Sequence, residues 1–511
     1  MQITRKLHFK NYLLTSKKDK RYFRILETLP ATLAWSTLIG GVVFSFIYPA
    51  LVAIFIIVFD VYWLIRVIYL SGYLILSYRV LKTNVNTNWL TKVKKDFAEE
   101  FENIYHLIIL PTLDEGEELL KMSFDSLVKS NYSQDKMIIV LAGEARSGHE
   151  GIDKLNLIKE KYQNYFKNFV VTIHPEGLPD EIPGKGSNEA YAAKIIRKYI
   201  DEERIDYENV ILSVFDADTA VHSEFFGRLT HAYLSSDNKL HSSYQPIPMF
   251  FNNIWDAPAL SRVVAFGTTF WQMMEQGRPE RLYTFSSHSM SFKTLVDIGY
   301  WETNVVSEDS RIFWQCFNHY RGNYKSTPLH MPIYMDTVLA DTVWRSFVNQ
   351  YKQQMRWAYG AENIPYILTA FRKLKNIPWQ KKLLHSFYVI EGSHSWATNA
   401  LLIFGLGWLP IILGGDSFNQ TVLAQSLPFI TQILMTLAMV GMFVSAALSF
   451  LLLPKPKQKS RSRYFGAIVF QWILLPISTI FFGALPALHA QTKLMLGRYM
   501  GFWSTEKVRK S

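Results

Sequence analysis

A chain of 511 residues with 49% hydrophobic and 15% aromatic residues is longer than one ordinary domain and too apolar for a wholly soluble protein. Its net charge of +11 suits nucleotides or acidic lipids, and Lys and Arg flanking membrane segments also account for it, whereas no basic recognition helix or zinc pattern supports nucleic acid. The single cysteine, Cys316, excludes an intramolecular disulfide and argues against a thiolate metal site.

Residues 1–29 form a polar, basic tail with Lys17-Lys18-Asp19-Lys20-Arg21. Ala31–Ile47 is uncharged and apolar, Pro49 interrupts it, and Leu51–Leu76 is apolar again apart from Asp60 and Arg66. That predicts a transmembrane hairpin over 30–80 whose basic start stays in the cytoplasm. Asp60 and Arg66 are six apart, off a common helix face, and are expected at the bundle interior or the interface. A signal peptide is disfavoured, because the first apolar segment starts late and no clear small-residue cleavage pattern follows it.

From 84 to 375 strands alternate with helices. Tyr105–Leu110, Met137–Leu141 and Phe169–Ile173 read as strands; Glu117–Lys129, Ile152–Lys167 and Ser187–Glu203 read as helices. The order predicts an α/β domain with a mostly parallel, nucleotide-binding sheet. The next strand, Val210–Phe215, is an apolar run that stops on Asp216 and Asp218. Acids there sit where open α/β sheets bind ligands, and alternate residues of an extended chain point the same way. Two such carboxylates suit a hard divalent cation bridging a diphosphate, although acids after a strand also cap helices. Further on, Asp341 is expected to cap a helix in which Gln353, Arg356 and Trp357 share one face. An amide, a guanidinium and an indole suit a diphosphate and a sugar; an amphipathic helix with a buried Trp has the same pattern.

Residues 376–398 mix aromatics, lysines and histidines and read as an interfacial helix. The region 399–490 reads as transmembrane: Asn399–Leu413 is apolar and ends in a turn at Gly414-Gly415-Asp416, Leu427–Leu453 is a span, Lys455–Arg463 a basic loop and Tyr464–Leu488 a third span. Five crossings place the basic tail 491–511 outside, against the charge rule, so one apolar segment is re-entrant or interfacial.

Four features stand in order: Pro111-Thr112-Leu113-Asp114-Glu115, Asp216-Ala217-Asp218, Ser307-Glu308-Asp309 and Gln353-x-x-Arg356-Trp357. Flanked by membrane helices, this set resembles the membrane-embedded family 2 glycosyltransferases, which include the cellulose, chitin and hyaluronan synthases. The resemblance covers roughly 104–360 and implies a GT-A-like domain with a Mg2+ or Mn2+ cofactor. It gives Thr112, Glu115, Lys185, Asn188 and Asp216 to the nucleotide, and Asp218 with Asp216 to the metal. Asp309 becomes the catalytic base. Gln353, Arg356 and Trp357 hold the diphosphate and acceptor, joined by Glu308 and by Ser287 and His288, within the Ser286–Ser289 stretch that floors the acceptor site. Where the family has Asp-Asp-Gly, this chain has Leu141-Ala142-Gly143-Glu144-Ala145, so Glu144 stands in for the base-contacting acid. Phe502–Lys507 loosely resembles the family's gating segment. Glu308-Asp309 also reads as an acid pair at a helix N-terminus.

The implied reaction is inverting transfer from a sugar nucleotide, a UDP-sugar favoured, to a saccharide or lipid acceptor, with processive polysaccharide synthesis in an integral plasma or inner membrane enzyme. A second subunit or a homo-oligomer completes any channel. The alternatives are single transfer to a lipid-phosphate carrier or a non-catalytic sugar-nucleotide-binding membrane protein. Chelation is expected to abolish transfer and Mn2+ or Mg2+ to restore it. Full activity of Asp218→Ala without added metal would overturn the metal assignment.

Overall fold

The computed structural model describes residues 14–454 and 470–503. The loop expected over Lys455–Arg463, the start of the span expected at Tyr464, residues 504–507 of the gate-like segment and the outer parts of both tails lie outside them.

Among the described residues the soluble region is built on one eight-stranded sheet. Its strands are Tyr105–Pro111 (β1), Met137–Glu144 (β2), Asn168–His174 (β3), Val210–Val214 (β4), Ala220–Val221 (β5), Ser242–Met249 (β6), Ser289–Ser291 (β7) and Lys325–Tyr334 (β8), in the order β3-β2-β1-β4-β7-β6-β8-β5. The pairs β1–β2, β2–β3, β1–β4 and β6–β8 are parallel; β4–β7, β6–β7 and β5–β8 are antiparallel. The expected α/β class and mostly parallel sheet are both present.

Period-two alternation sorts the apolar residues of β1 and β2 onto two faces. Ile108, Leu110, Ile139 and Leu141 pack with Leu120, Phe124 and Leu127 of the Glu117–Val128 helix. Leu107, Ile109, Ile138 and Val140 pack with Ala190, Ala193 and Ile196 of the Lys185–Glu202 helix. Helices on both faces are why β1, β2 and β4 read as largely apolar runs.

β4 is the strand at which the sheet changes direction, parallel to β1 and antiparallel to β7. It ends at Val214, and Asp216–Thr219 is a tight turn in which the Thr219 amide donates to the Asp216 carbonyl at 2.9 Å. Asp216 and Asp218 are therefore presented by a turn, not by the extended chain that the alternation argument assumed. A second correction concerns the Val343–Ala358 helix. Its cap is Thr342, whose hydroxyl accepts from the Arg345 amide at 3.2 Å, while Asp341 pairs with the Arg345 side chain.

Four helices among the described residues are long and apolar enough to cross a membrane: Lys17–Ile47, Pro49–Val85, Val422–Leu452 and Trp472–Met495. Trp379–Phe404 and Leu406–Leu413, bent by 44°, add a fifth if they form one span. The first helix starts at Lys17, within the stretch read as tail, because Ser16 and Asp19 form a capping box. The second reaches the sheet: Asn84 Nδ2 donates to the carbonyls of Leu329 and His330 in β8 at 3.1 and 3.2 Å.

Just beyond it, the Trp89–Asp96 helix crosses the Phe225–Leu234 helix at Gly227. A Cβ on Gly227 would lie 2.8 Å from the Leu90 amide nitrogen, which itself donates to Glu224 Oε2 at 3.0 Å. Backbone cannot yield as a side-chain tip can. Gly227→Ala is expected to cost about 1–3 kcal/mol, as overpacking does, seen as a lower apparent melting temperature in detergent.

Candidate active site

The C-terminal ends of β1, β2 and β4 open onto one space. After β1, the Thr112 amide donates to Ala142 O at 2.8 Å. The Glu115 carboxylate folds back over its own loop, accepting from Thr112 Oγ1 and the Leu113 amide at 2.6 Å each and from the Asp114 amide at 3.2 Å. Asn188 donates to the same Ala142 carbonyl at 2.6 Å, which ties the Lys185–Glu202 helix to the end of β2. Glu144 closes β2, and Arg146 grips it as a fork at 2.6 and 2.9 Å. Sequence reasoning passed over Arg146, although its place two residues after Glu144 was visible.

Lys185 begins its helix, is buried, and gathers carboxylates from three elements. Its Nζ lies 2.7 Å from Asp216 Oδ1, 2.9 Å from both oxygens of Asp309 and 3.7 Å from Glu189 Oε1. Burial pulls the ammonium's pKa down, but Asp216, Asp309, Glu189 and Glu308 outweigh it and hold the group well above its ordinary value. Glu189, fully buried with neither oxygen hydrogen-bonded, is pushed up by desolvation despite Lys185. It escaped the sequence reading because an acid four residues after a lysine on a helix resembles an ordinary exposed pair.

Asp309 sits in the first turn of the Glu308–His319 helix. The start of that helix is held from outside: Glu362 Oε1 accepts from the Val306 amide, the Ser307 amide and Ser307 Oγ at 3.0, 3.1 and 2.9 Å. Thr284 Oγ1 donates to the Asp309 carbonyl at 2.5 Å, and Ser286 Oγ donates to Asp216 Oδ2 at 2.7 Å. Glu308 is buried with neither oxygen hydrogen-bonded; desolvation and the Asp309 charge push its carboxyl up to about 8 against Lys185 and Arg356. On the Val343–Ala358 helix, the Trp357 ring lies 5.9 Å from Phe250 and 5.5 Å from Phe285, and the Arg356 guanidinium 5.0 Å from the Phe502 ring. Gln353 Oε1 accepts from Gln350 at 3.2 Å.

One cavity of about 1530 Å³ joins these groups. Thr112, Glu115, Glu144, Lys185, Asp216 and Asp218 line it from the sheet side, and Glu308, Asp309, Gln353, Arg356 and Trp357 from the other. Asn188, Ser287 and His288 do not line it. Ser287, at φ +64°, turns to the Thr219 hydroxyl at 3.3 Å. His288 lies behind Asp309, with Nδ1 3.9 Å from Asp309 Oδ1 and 3.2 Å from the Phe285 carbonyl; burial lowers its pKa to about 4, so it is neutral at physiological pH.

The donors fit a hard divalent cation that takes most of its ligands from elsewhere. Among the described residues no three His, Cys, Asp or Glu side chains form a metal cage. Asp218 is buried with Oδ2 accepting from the Asp336 amide at 2.9 Å, and Asp216 is bonded to Lys185 and Ser286. Two carboxylates with phosphate and water oxygens suit Mg2+ or Mn2+, not a structural zinc.

No protein-family model and no curated protein sequence matches this chain. Among solved structures it is similar to the mannosyltransferase PcManGT from Pyrobaculum calidifontis in complex with GDP-Man and Mn2+, at 15% identity and a TM-score of 0.38, over 82% of this chain and 99% of that one. It is also similar to S. aureus TarS 1-349 in complex with UDP-GlcNAc, at 14% identity and a TM-score of 0.36, over 68% and 92% of the two chains. Likenesses at these values add no argument to what the sheet and the cavity carry.

Because the carboxyl of Glu308 is raised, the folded protein keeps a proton that the unfolded chain has already released. Stability therefore falls as pH rises from the ordinary carboxylate range to about 8. Glu308→Gln is expected to melt with the wild type near about pH 5 and several degrees above it near about pH 9. A difference that does not change with pH would refute the assignment.

Proposed function

We propose that the protein is an inverting glycosyltransferase that moves a sugar from a sugar nucleotide to an acceptor presented at the membrane. The observation that carries the reading is the Lys185 ammonium bridging Asp216 and Asp309 inside a cavity that also holds Asp218, Arg356 and Trp357. In this reading Thr112, Glu115 and Glu144 meet the nucleoside of a UDP-sugar, and Asn188 acts by fixing the Ala142 carbonyl behind them.

Asp309 accepts the proton of the attacking acceptor hydroxyl. As the acceptor oxygen bonds to the anomeric carbon, the bond from that carbon to the diphosphate breaks, and its electron pair leaves with the nucleoside diphosphate. Arg356 meets the charge that develops there. Lys185 holds both oxygens of Asp309 at 2.9 Å, so it must turn toward the incoming diphosphate before Asp309 can act as a base. A Mg2+ or Mn2+ ion at Asp218 and Asp216 would supply Lewis-acid neutralisation of the diphosphate. No enzyme nucleophile is required.

The basic residues ahead of the first apolar helix favour the cytoplasmic side of a plasma or inner membrane for the catalytic domain. Repeated addition is favoured by Trp357, whose indole, set between Phe250 and Phe285, offers a face on which a terminal sugar can stack. With four or five candidate spans among the described residues, export of a long product would need a second subunit or another copy of the chain.

The test is transfer by purified protein in lipid, with nucleotide release and product length read together. Asp309→Asn is expected to keep nucleotide affinity within a few fold and to lose kcat by on the order of 10² or more; surviving kcat would place the base elsewhere. Trp357→Ala should shorten products more than it slows nucleotide release. Single additions at every donor concentration would instead support the single-transfer alternative.

A further inference from the structure

The end of β2 presents a donor to the cavity, not an acceptor. Glu144 and Arg146 both line the space, but the Arg146 side chain is 30% exposed and that of Glu144 only 7%. The fork between them is side-on: Arg146 Nε donates to Glu144 Oε2 at 2.6 Å and Nη2 donates to Oε1 at 2.9 Å. Each oxygen of Glu144 therefore already faces a donor. A guanidinium carries more N–H groups than this fork uses. Among the described residues Nη1 has no hydrogen-bond partner, so an N–H of Nη1 and the second N–H of Nη2 form another parallel fork at the end of the side chain. The bond to Glu144 fixes the plane of that fork, and Ser147 Oγ, donating to the Glu144 carbonyl at 2.7 Å, fixes the turn that carries it.

The neighbouring strand end supplies the complement. β1 and β2 finish side by side, with Pro111 paired to Ala142. In the loop after β1, the Glu115 carboxylate is occupied by donors of its own loop. Asp114 is the acceptor left there. It lines the same cavity, its side chain is 75% exposed, and the Lys154 ammonium stands 3.7 Å from its Oδ1.

A base bound at these two strand ends meets paired donors from one and a carboxylate from the other. Uracil matches neither well. Its edge alternates O2, N3–H and O4, so its acceptors are not adjacent, and a guanidinium set against N3–H brings donor to donor. Adenine offers N7 beside an amino group. Cytosine has adjacent acceptors, O2 and N3, but no pair of donors for a carboxylate. Guanine has both: O6 beside N7, the pair that an arginine fork reads in nucleic acids, and N1–H beside the 2-amino group on the next edge.

We propose that the donor nucleotide carries guanine, with O6 and N7 read by the free fork of Arg146 and N1–H and the 2-amino group read by Asp114. Glu144 is then a positioning residue that holds the guanidinium. The inference rests on the sugar-nucleotide reading above and changes only its base, since uridine there follows from a resemblance whose Asp-Asp-Gly this chain lacks.

The experiment titrates the full-length protein in phosphatidylcholine nanodiscs, with Mg2+ present, with GDP, UDP, CDP, ADP, 7-deaza-GDP and IDP by calorimetry. Hydrolysis of GDP-sugars and UDP-sugars is measured on the same samples. GDP is expected to bind on the order of tenfold more tightly than UDP, CDP or ADP, as one bidentate contact implies. 7-Deaza-GDP, which lacks N7, should lose most of that margin, and IDP, which lacks the 2-amino group, part of it. Arg146→Lys keeps a cation beside Glu144 but not the fork, and should bring GDP to the level of UDP while leaving UDP unchanged. Asp114→Asn should remove the difference between GDP and IDP. The analogues act on the wild-type chain, so the test does not depend on either variant folding. UDP or CDP binding as tightly as GDP overturns the proposal. So does 7-deaza-GDP binding as tightly as GDP, which would mark stacking of the guanidinium on the face of any base. A preference for UDP with hydrolysis of UDP-sugars sinks this inference alone. A preference for GDP without hydrolysis of any sugar nucleotide sinks the transfer reading and leaves the base assignment standing.

Discussion

The Lys185 ammonium is the charge on which the arrangement of the cavity depends. Asp216 reaches it from the turn after β4, Asp309 from the start of a distant helix and Glu189 from the next turn of its own helix. Without that cation, three acids from three elements would repel one another in a partly desolvated space, where like charges interact far more strongly than in water. With it, Asp216 and Asp309 are drawn together, while burial and then the neighbouring negative charge raise the carboxyls of Glu189 and Glu308. The cluster is thus a structural clasp that joins three elements through one ammonium.

The clasp works because its parts are held from behind. Glu362 secures the chain entering the Asp309 helix, and buried Arg311 pairs with Glu302 at 2.7 Å and donates to Asn363 Oδ1 at 2.6 Å. Glu362 and Asn363 follow directly on the Gln353-x-x-Arg356-Trp357 helix. The segment that carries the candidate diphosphate and acceptor groups therefore also sets the position of the candidate base. A change in one is transmitted to the other through hydrogen bonds whose loss would leave buried polar groups unpaired.

How much of this was legible in the sequence follows from the physics of each element. β1, β2 and β4 announced themselves because burial on both faces makes a strand largely apolar, and β3, an edge strand that is half-buried, by its β-branched residues. β6 and β8 did not: Pro246, Pro248, Pro328 and Pro332 interrupt them, and a proline inside a run argues against a central strand. The sheet accommodates them with a register shift between Gln245 and Ile247. The acids at strand ends and the face shared by Gln353, Arg356 and Trp357 were readable from spacing. Glu362 and the Arg66–Glu391 pair were not, because their partners lie 55 and 325 residues away and no local period relates them. Ser287 and His288 were placed at the acceptor by resemblance alone; the chain turns at Ser287 and carries both behind the carboxylates.

The distance between those partners has a mechanical consequence. The Pro49–Val85 helix meets Glu391 of the Trp379–Phe404 helix through Arg66, and lower down it meets β8 through Asn84. Arg281, held by the same Glu391, leads within a few residues to Thr284 and Ser286, which touch Asp309 and Asp216. The Pro49–Val85 helix is therefore fastened to the sheet near its C-terminal end and to the mouth of the cavity at its middle. The carboxylates cannot tilt relative to the membrane without breaking charge-assisted bonds at low exposure, which are the costly ones to lose.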